Sequence, residues 1–153
     1  MKRFRFKLES ALKHRIRLEE QAVQELAAWR RRHAEFQDEL MRLRQYRSYV
    51  EAEAADMAGE VPVSLLQTLD QHLQWLADQE AVCIRELATL AIRVEEARQA
   101  VVAASTARRS LERLKERQLA EHLAEASAEE QKQLDDHASL QAARARAPVG
   151  ASV

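Results

Sequence analysis

Glycine, proline, cysteine and aromatic residues are all scarce in this 153-residue chain, and each scarcity removes a class of structure. Two glycines and two prolines leave almost nothing from which to build tight turns, and 5% aromatics are too few for the broad core of a compact globule. A backbone cradle for phosphate is nearly excluded on the same ground, and neither a CxxC pair nor an HExxH is present. Cys83 is the sole cysteine, so no intrachain disulfide can form; a lone thiol fits a reducing cytosol, with core packing as its ordinary role. No apolar run approaches the ~20 residues of a membrane span, and the basic start, residues 1–7, is not followed by an apolar segment. A formal net charge of -1 gives no general attraction to nucleic acid or to an anionic membrane. The chain reads as soluble, cytoplasmic and without a cofactor.

What is abundant is charge, 32% of residues, laid over helix-forming sequence. The only internal cluster of glycine and proline is Gly59 and Pro62, within residues 58–64. Glycine accepts positive φ at a helix end, and proline biases the residue before it away from helix. One helix is expected over residues 1–57, a turn over 58–64, a second helix over 65–145, and a disordered tail over 146–153. The fold class is therefore all-α, a long two-helix antiparallel coiled-coil hairpin.

The first arm carries a seam at Leu8, Leu12, Arg15, Glu19, Ala22, Leu26, Trp29, His33, Phe36, Leu40, Leu43, Arg47, Val50, Ala54 and Met57. Spacings of four and three alternate throughout, the pattern of a left-handed coiled coil, and 11 of the 15 positions are apolar. So narrow a stripe needs a second helix to cover it. Polar residues on such a seam ordinarily fix register. The run Arg30, Arg31, Arg32 and His33 fans around the helix and reads as solvated surface, not as a phosphate-binding patch. Tyr46 and Tyr49 lie off the seam beside the turn, where aromatics suit a partner surface.

The alternation resumes at Leu66 and runs through Leu69, Leu73, Leu76, Glu80, Cys83, Leu87, Leu90, Val94, Ala97, Val101 and Ala104 to Arg108 and Leu111. It then moves to a shifted stripe of Leu114, Leu119 and Leu123. If the arms fold back at the turn, numbers of facing residues sum to roughly 120, so Trp29 faces the region of Val94. Residues 115–145 would then lack a counterpart, and a lone helix is marginal in water. The ligand-like groups Glu121, His122 and Glu125, and Asp135, Asp136 and His137, sit on this exposed stretch, where nothing holds a metal. A helix pair also has no cavity in which to desolvate a substrate, so the chain is not expected to be an enzyme.

The opening residues Phe4, Arg5, Phe6, Lys7, Leu8, Glu9, Ser10, Ala11, Leu12, Lys13, His14 and Arg15, followed by Glu19, Glu20, Gln21, Ala22, Glu25, Leu26 and Ala27, resemble the flagellar export protein FliJ family. The likeness extends in length and layout over nearly the whole chain. It implies a non-enzymatic stalk of the type III flagellar export apparatus, similar in form to the central stalk of rotary ATPases. The joined helix ends would enter the pore of the export ATPase FliI hexamer and stimulate it. The hairpin tip would reach the export gate FlhA, giving peripheral association with the membrane, and export chaperones would be further partners. By this resemblance Tyr46, Tyr49, Leu65, Leu69 and His72 are tip residues for the gate; the family tends to have an aromatic where Leu65 stands, and its two tip tyrosines are usually four apart. At the opposite end Arg3, Arg5, Lys7, Arg113, Lys115 and Arg117 cluster as candidates for the ATPase pore.

Two alternatives stay open at the level of sequence. One is a generic coiled-coil adaptor or chaperone, or the corresponding injectisome stalk. The other concerns architecture: the arms zip between chains as a dimer, whereas an intramolecular hairpin stays a monomer of 17.5 kDa when dilute.

Overall fold

The computed structural model describes residues 3–57 and 59–146. Two helices account for most of them: α1, Glu9–Ala55, and α2, Val63–Arg146. There is no strand among the described residues. Of the tail expected over 146–153, Arg146 belongs to α2 and residues 147–153 lie outside the described residues, as does Ala58 of the turn. Packing divides the chain into two compact units, one of residues 16–106 and the other of residues 3–15 with 107–146.

In the unit of residues 16–106 the two helices pair antiparallel. Tyr46 meets His72, Arg47 meets Glu80, and Trp29 shares a groove with Arg93, Ala97 and Ala100, so rising numbers on α1 meet falling numbers on α2. These pairs keep close to the expected sum of about 120. Leu26 and Leu40 from α1 and Leu76, Cys83, Leu90 and Ala97 from α2 are buried, and all lie at seam positions. Each buried leucine contributes roughly 1.5–3 kcal/mol relative to exposure. The pairing lies within one chain, as a hairpin requires.

The seam starts later than its spacing suggested. Leu66 is 50% exposed, and the first buried position of α2 is Leu76. The turn explains the difference: Pro62 accepts hydrogen bonds through its carbonyl from the amides of Leu65 (3.0 Å) and Leu66 (3.2 Å), so Leu66 lies in the opening turn of α2. Gly59 has a φ of 119°, a conformation that side-chain-bearing residues avoid. It is this residue that lets the chain leave α1 soon after Ala55.

In the unit of residues 3–15 and 107–146 the chain before Glu9 is not helical. Its residues alternate as in an extended segment: Arg3, Arg5 and Lys7 are exposed, Phe4 is half-buried and Phe6 is buried. Phe4 packs on the His122 ring at 5.7 Å between centroids, and the Lys115 ammonium lies 5.9 Å from the centre of the Phe6 ring. Lys115 also bonds Glu9 at 2.7 Å. These contacts correct the expectation that α2 loses its counterpart from residue 115. The burial stripe keeps its phase through Leu111, Lys115, Gln118 and His122, while Leu119 and Leu123 turn to solvent. The phase looked lost because polar residues occupy these positions and the covering chain is an extended segment, which has no heptad pattern to match. From Ser127 to Arg146 every residue of α2 is exposed.

Candidate partner-binding surfaces

Near the turn, the unit of residues 16–106 presents an aromatic cluster built by both helices. The His72 ring receives Tyr46 edge-on, at 5.7 Å and 81° between planes, and stacks nearly parallel on Trp75 at 5.9 Å and 11°. His72 and Trp75 are three apart on α2 and therefore neighbours on its surface, while Tyr46 reaches them from α1. Tyr46, Tyr49 and Trp75 remain about half exposed or more, as do Leu65 and Leu66, and Leu69 is half-buried. The structure thus joins Tyr46 to His72 directly, whereas Tyr49 stands apart from this stacking. Trp75 was not singled out from the sequence. Its signal was available: it is one of only two tryptophans, it stands off the seam, and it lies one turn from His72.

Below this cluster a charged layer crosses the seam. Glu80 is 9% exposed, yet its carboxylate accepts from Arg47 at 3.3 Å and lies 3.7 Å from Arg44. Arg47 also bonds Glu51 at 2.9 Å, and the hydrogen bonds to Glu51 and then Glu80 push its guanidinium further into the charged range. The arginines keep their outer parts in water while their heads satisfy the enclosed acid. Deeper along α2, burial pushes the Cys83 thiol up, away from the reactive thiolate.

The second candidate surface belongs to the unit of residues 3–15 and 107–146. Arg3, Arg5 and Lys7 point outward from the extended segment, and Arg113 and Arg117 are exposed on α2. Lys115 differs from the other five, because its ammonium is held by Glu9 and by the face of Phe6. It anchors the basic segment and is less free to meet a partner. Arg3, Phe4, Arg5, Phe6, Glu9 and Lys115 together line a shallow groove at this anchor.

No group of three or more histidine, cysteine, aspartate or glutamate side chains arranged for a metal occurs among the described residues. His122, adjacent in sequence to Glu121, is taken up instead by its contact with Phe4. Among the described residues no helix is long and apolar enough to cross a membrane. What the two candidate surfaces expose is aromatic rings on one and arginines on the other.

Comparison with known proteins adds one assignment. No curated protein and no solved structure matches the chain. The model of the family described as flagellar FliJ protein matches residues 4–147, a span that takes in both candidate surfaces. Members of this family are non-catalytic components of flagellar protein export. A helical hairpin matched from Phe4 to residue 147 belongs to the flagellar FliJ protein family, and the chain is a protein of the flagellar export apparatus.

Proposed function

We propose that the chain is the non-enzymatic stalk of the flagellar type III export apparatus, linking the export ATPase FliI hexamer to the export gate FlhA and stimulating the ATPase. The observation that carries this reading is the family match over residues 4–147. The separation of exposed chemistry supports it, since Tyr46, His72 and Trp75 lie in one unit while Arg3, Arg5, Lys7, Arg113 and Arg117 lie in the other. Aromatic rings held in place by one another suit the centre of a protein interface. Arginines on a short extended segment suit acidic loops of a pore. Export chaperones are further partners, and the protein meets the membrane only peripherally, through the gate.

The decisive experiment measures ATP hydrolysis by the cognate export hexamer with and without the purified chain. Stimulation is expected, and replacing Arg3, Arg5 and Lys7 with alanine should weaken it while leaving helicity intact. No stimulation together with no co-purification would overturn the reading. For the gate contact, Tyr46→Ala with Trp75→Ala should lower binding to the isolated cytoplasmic ring at least tenfold, about 1.4 kcal/mol or more. Unchanged binding would remove the tip from the proposal and leave the ATPase contact standing.

A further inference from the structure

With the seam taken as positions a and d of the heptad, Leu40 and Leu87 stand at a, and the helix pair of residues 16–106 has two flanks. Tyr46 and His72 meet across g positions, so the aromatic cluster lies on one of them. The other flank, formed by the e positions and the b positions beside them, holds a groove. Leu40, Met41 and Leu87 give it an apolar floor, bordered by Gln37, Arg44, Gln45 and Ser48. Met41 is 54% exposed, and Ile84, at an e position one turn before Leu87, is 47% exposed. Such positions in a two-helix coil ordinarily carry charge.

From residue 23 to 48 of α1 and from 74 to 91 of α2 there are fourteen e and b positions, and none is an acid. Nine are apolar, with Val23, Met41 and Ile84 set among alanines, and the charges present are Arg30 and Arg44. Arg30 forms no ion pair with a described residue, and the Arg44 side chain stays 59% exposed although it reaches toward Glu80. The flank of the aromatic cluster differs, carrying Glu25, Glu35, Glu39 and Glu86 over the same lengths. Glu51 and Asp70 close the acid-free stretch toward the turn, and Glu20 and Glu95 close it at the other end.

We propose that this flank is the docking site of a third helix, an amphipathic segment of a partner protein whose apolar stripe is bordered by glutamate or aspartate. Its apolar side chains enter the groove over Leu40, Met41 and Leu87, and the small alanines on either side let its backbone come close. Methionine suits such a floor, because an unbranched chain adapts to what it meets. The carboxylates of the incoming helix answer Arg30 and Arg44, which stand two heptads, about 21 Å, apart along α1. A second copy of this chain does not fit: two such flanks brought together would set arginines against alanines and arginines, with no acid between them. The site lies across the pair from Tyr46 and His72 and does not depend on the stalk reading.

Two synthetic helices of about 25 residues serve as probes, both with leucine at a and d, one with glutamate and the other with lysine at e and g. Fluorescence anisotropy with the full chain in about 50 mM salt should show saturable binding of the glutamate helix, with a Kd of about 100 μM or tighter. The lysine helix should bind at least tenfold more weakly. Met41→Lys with Ile84→Lys should lower binding of the glutamate helix at least tenfold, and Arg30→Glu should weaken it while strengthening the lysine helix. Val82→Lys, on the opposite flank, should change nothing. All four positions are exposed, and circular dichroism of each variant separates a lost site from a lost fold. Absence of saturation, equal binding of the two helices, indifference to Met41 and Ile84, or an equal loss in Val82→Lys would each overturn the proposal. So would a mass above 17.5 kDa for the chain alone that the Met41, Ile84 variant abolishes, since the flank would then belong to a second copy.

Discussion

Glu80 shows how a single side chain acts at the seam. Its carboxylate is enclosed, while its two arginine partners are partly in water, so removing either side of the contact has unequal consequences. Arg47→Leu leaves an enclosed acid with only the longer contact to Arg44, and should lower the urea midpoint of unfolding. Glu80→Leu returns both arginines to water and fills an apolar layer, and should be neutral or slightly stabilising. At Gly59 the space around the residue is open, so the penalty of Gly59→Ala is conformational, about 1 kcal/mol from the positive φ. Titration provides a further residue-level test. Hydrogen bonds from Arg98 and then Gln99 hold the Glu95 carboxyl below the usual carboxylate range. Its contribution is therefore present above the unfolded value and disappears as pH falls through the folded one. The difference in thermal midpoint between wild type and Glu95→Gln should be visible at pH 7 and shrink as the pH falls through the lowered folded value.

Across the elements, burial follows the sequence pattern closely where helix meets helix. The four-three alternation placed Leu26, Leu40, Leu76, Leu90 and Ala97 on the seam, and the sole internal glycine and proline marked the turn. The pattern was silent where helix meets extended chain: Phe6 is buried beside Lys115, and no heptad records that contact. For the candidate surfaces, residue type and distance from the turn were readable. The meeting of Tyr46 with His72 and Trp75 was not, because it depends on the lateral offset between helices. The exposed end of α2 gives a prediction at this scale. Amides of residues 127–146, with no packing against them, should exchange hydrogen rapidly, while those around Leu76, Cys83 and Leu90 exchange slowly. Equal protection of the two stretches in the monomer would contradict the structure.

At the level of the whole molecule, the two units should be separable by spectroscopy. Both tryptophans, Trp29 and Trp75, belong to the unit of residues 16–106, so intrinsic fluorescence reports that unit while circular dichroism reports both. Phe6→Ala removes the buried ring of the other unit and should cost about 3 kcal/mol locally. The expected signature is helicity lost at lower temperature with an unchanged fluorescence midpoint; a fluorescence shift of equal size would mean that the units melt together. The enclosed acid also has a mechanical consequence for a protein of the export apparatus. If α2 slid past α1 by one heptad, Glu80 would leave Arg44 and Arg47 for the apolar layer of Phe36 and Leu40 or, in the other sense, of Val50 and Ala54, taking an enclosed charge away from its counter-ions. Shear between the two helices of this unit is thereby opposed, and a push or twist applied to one of them is carried by both.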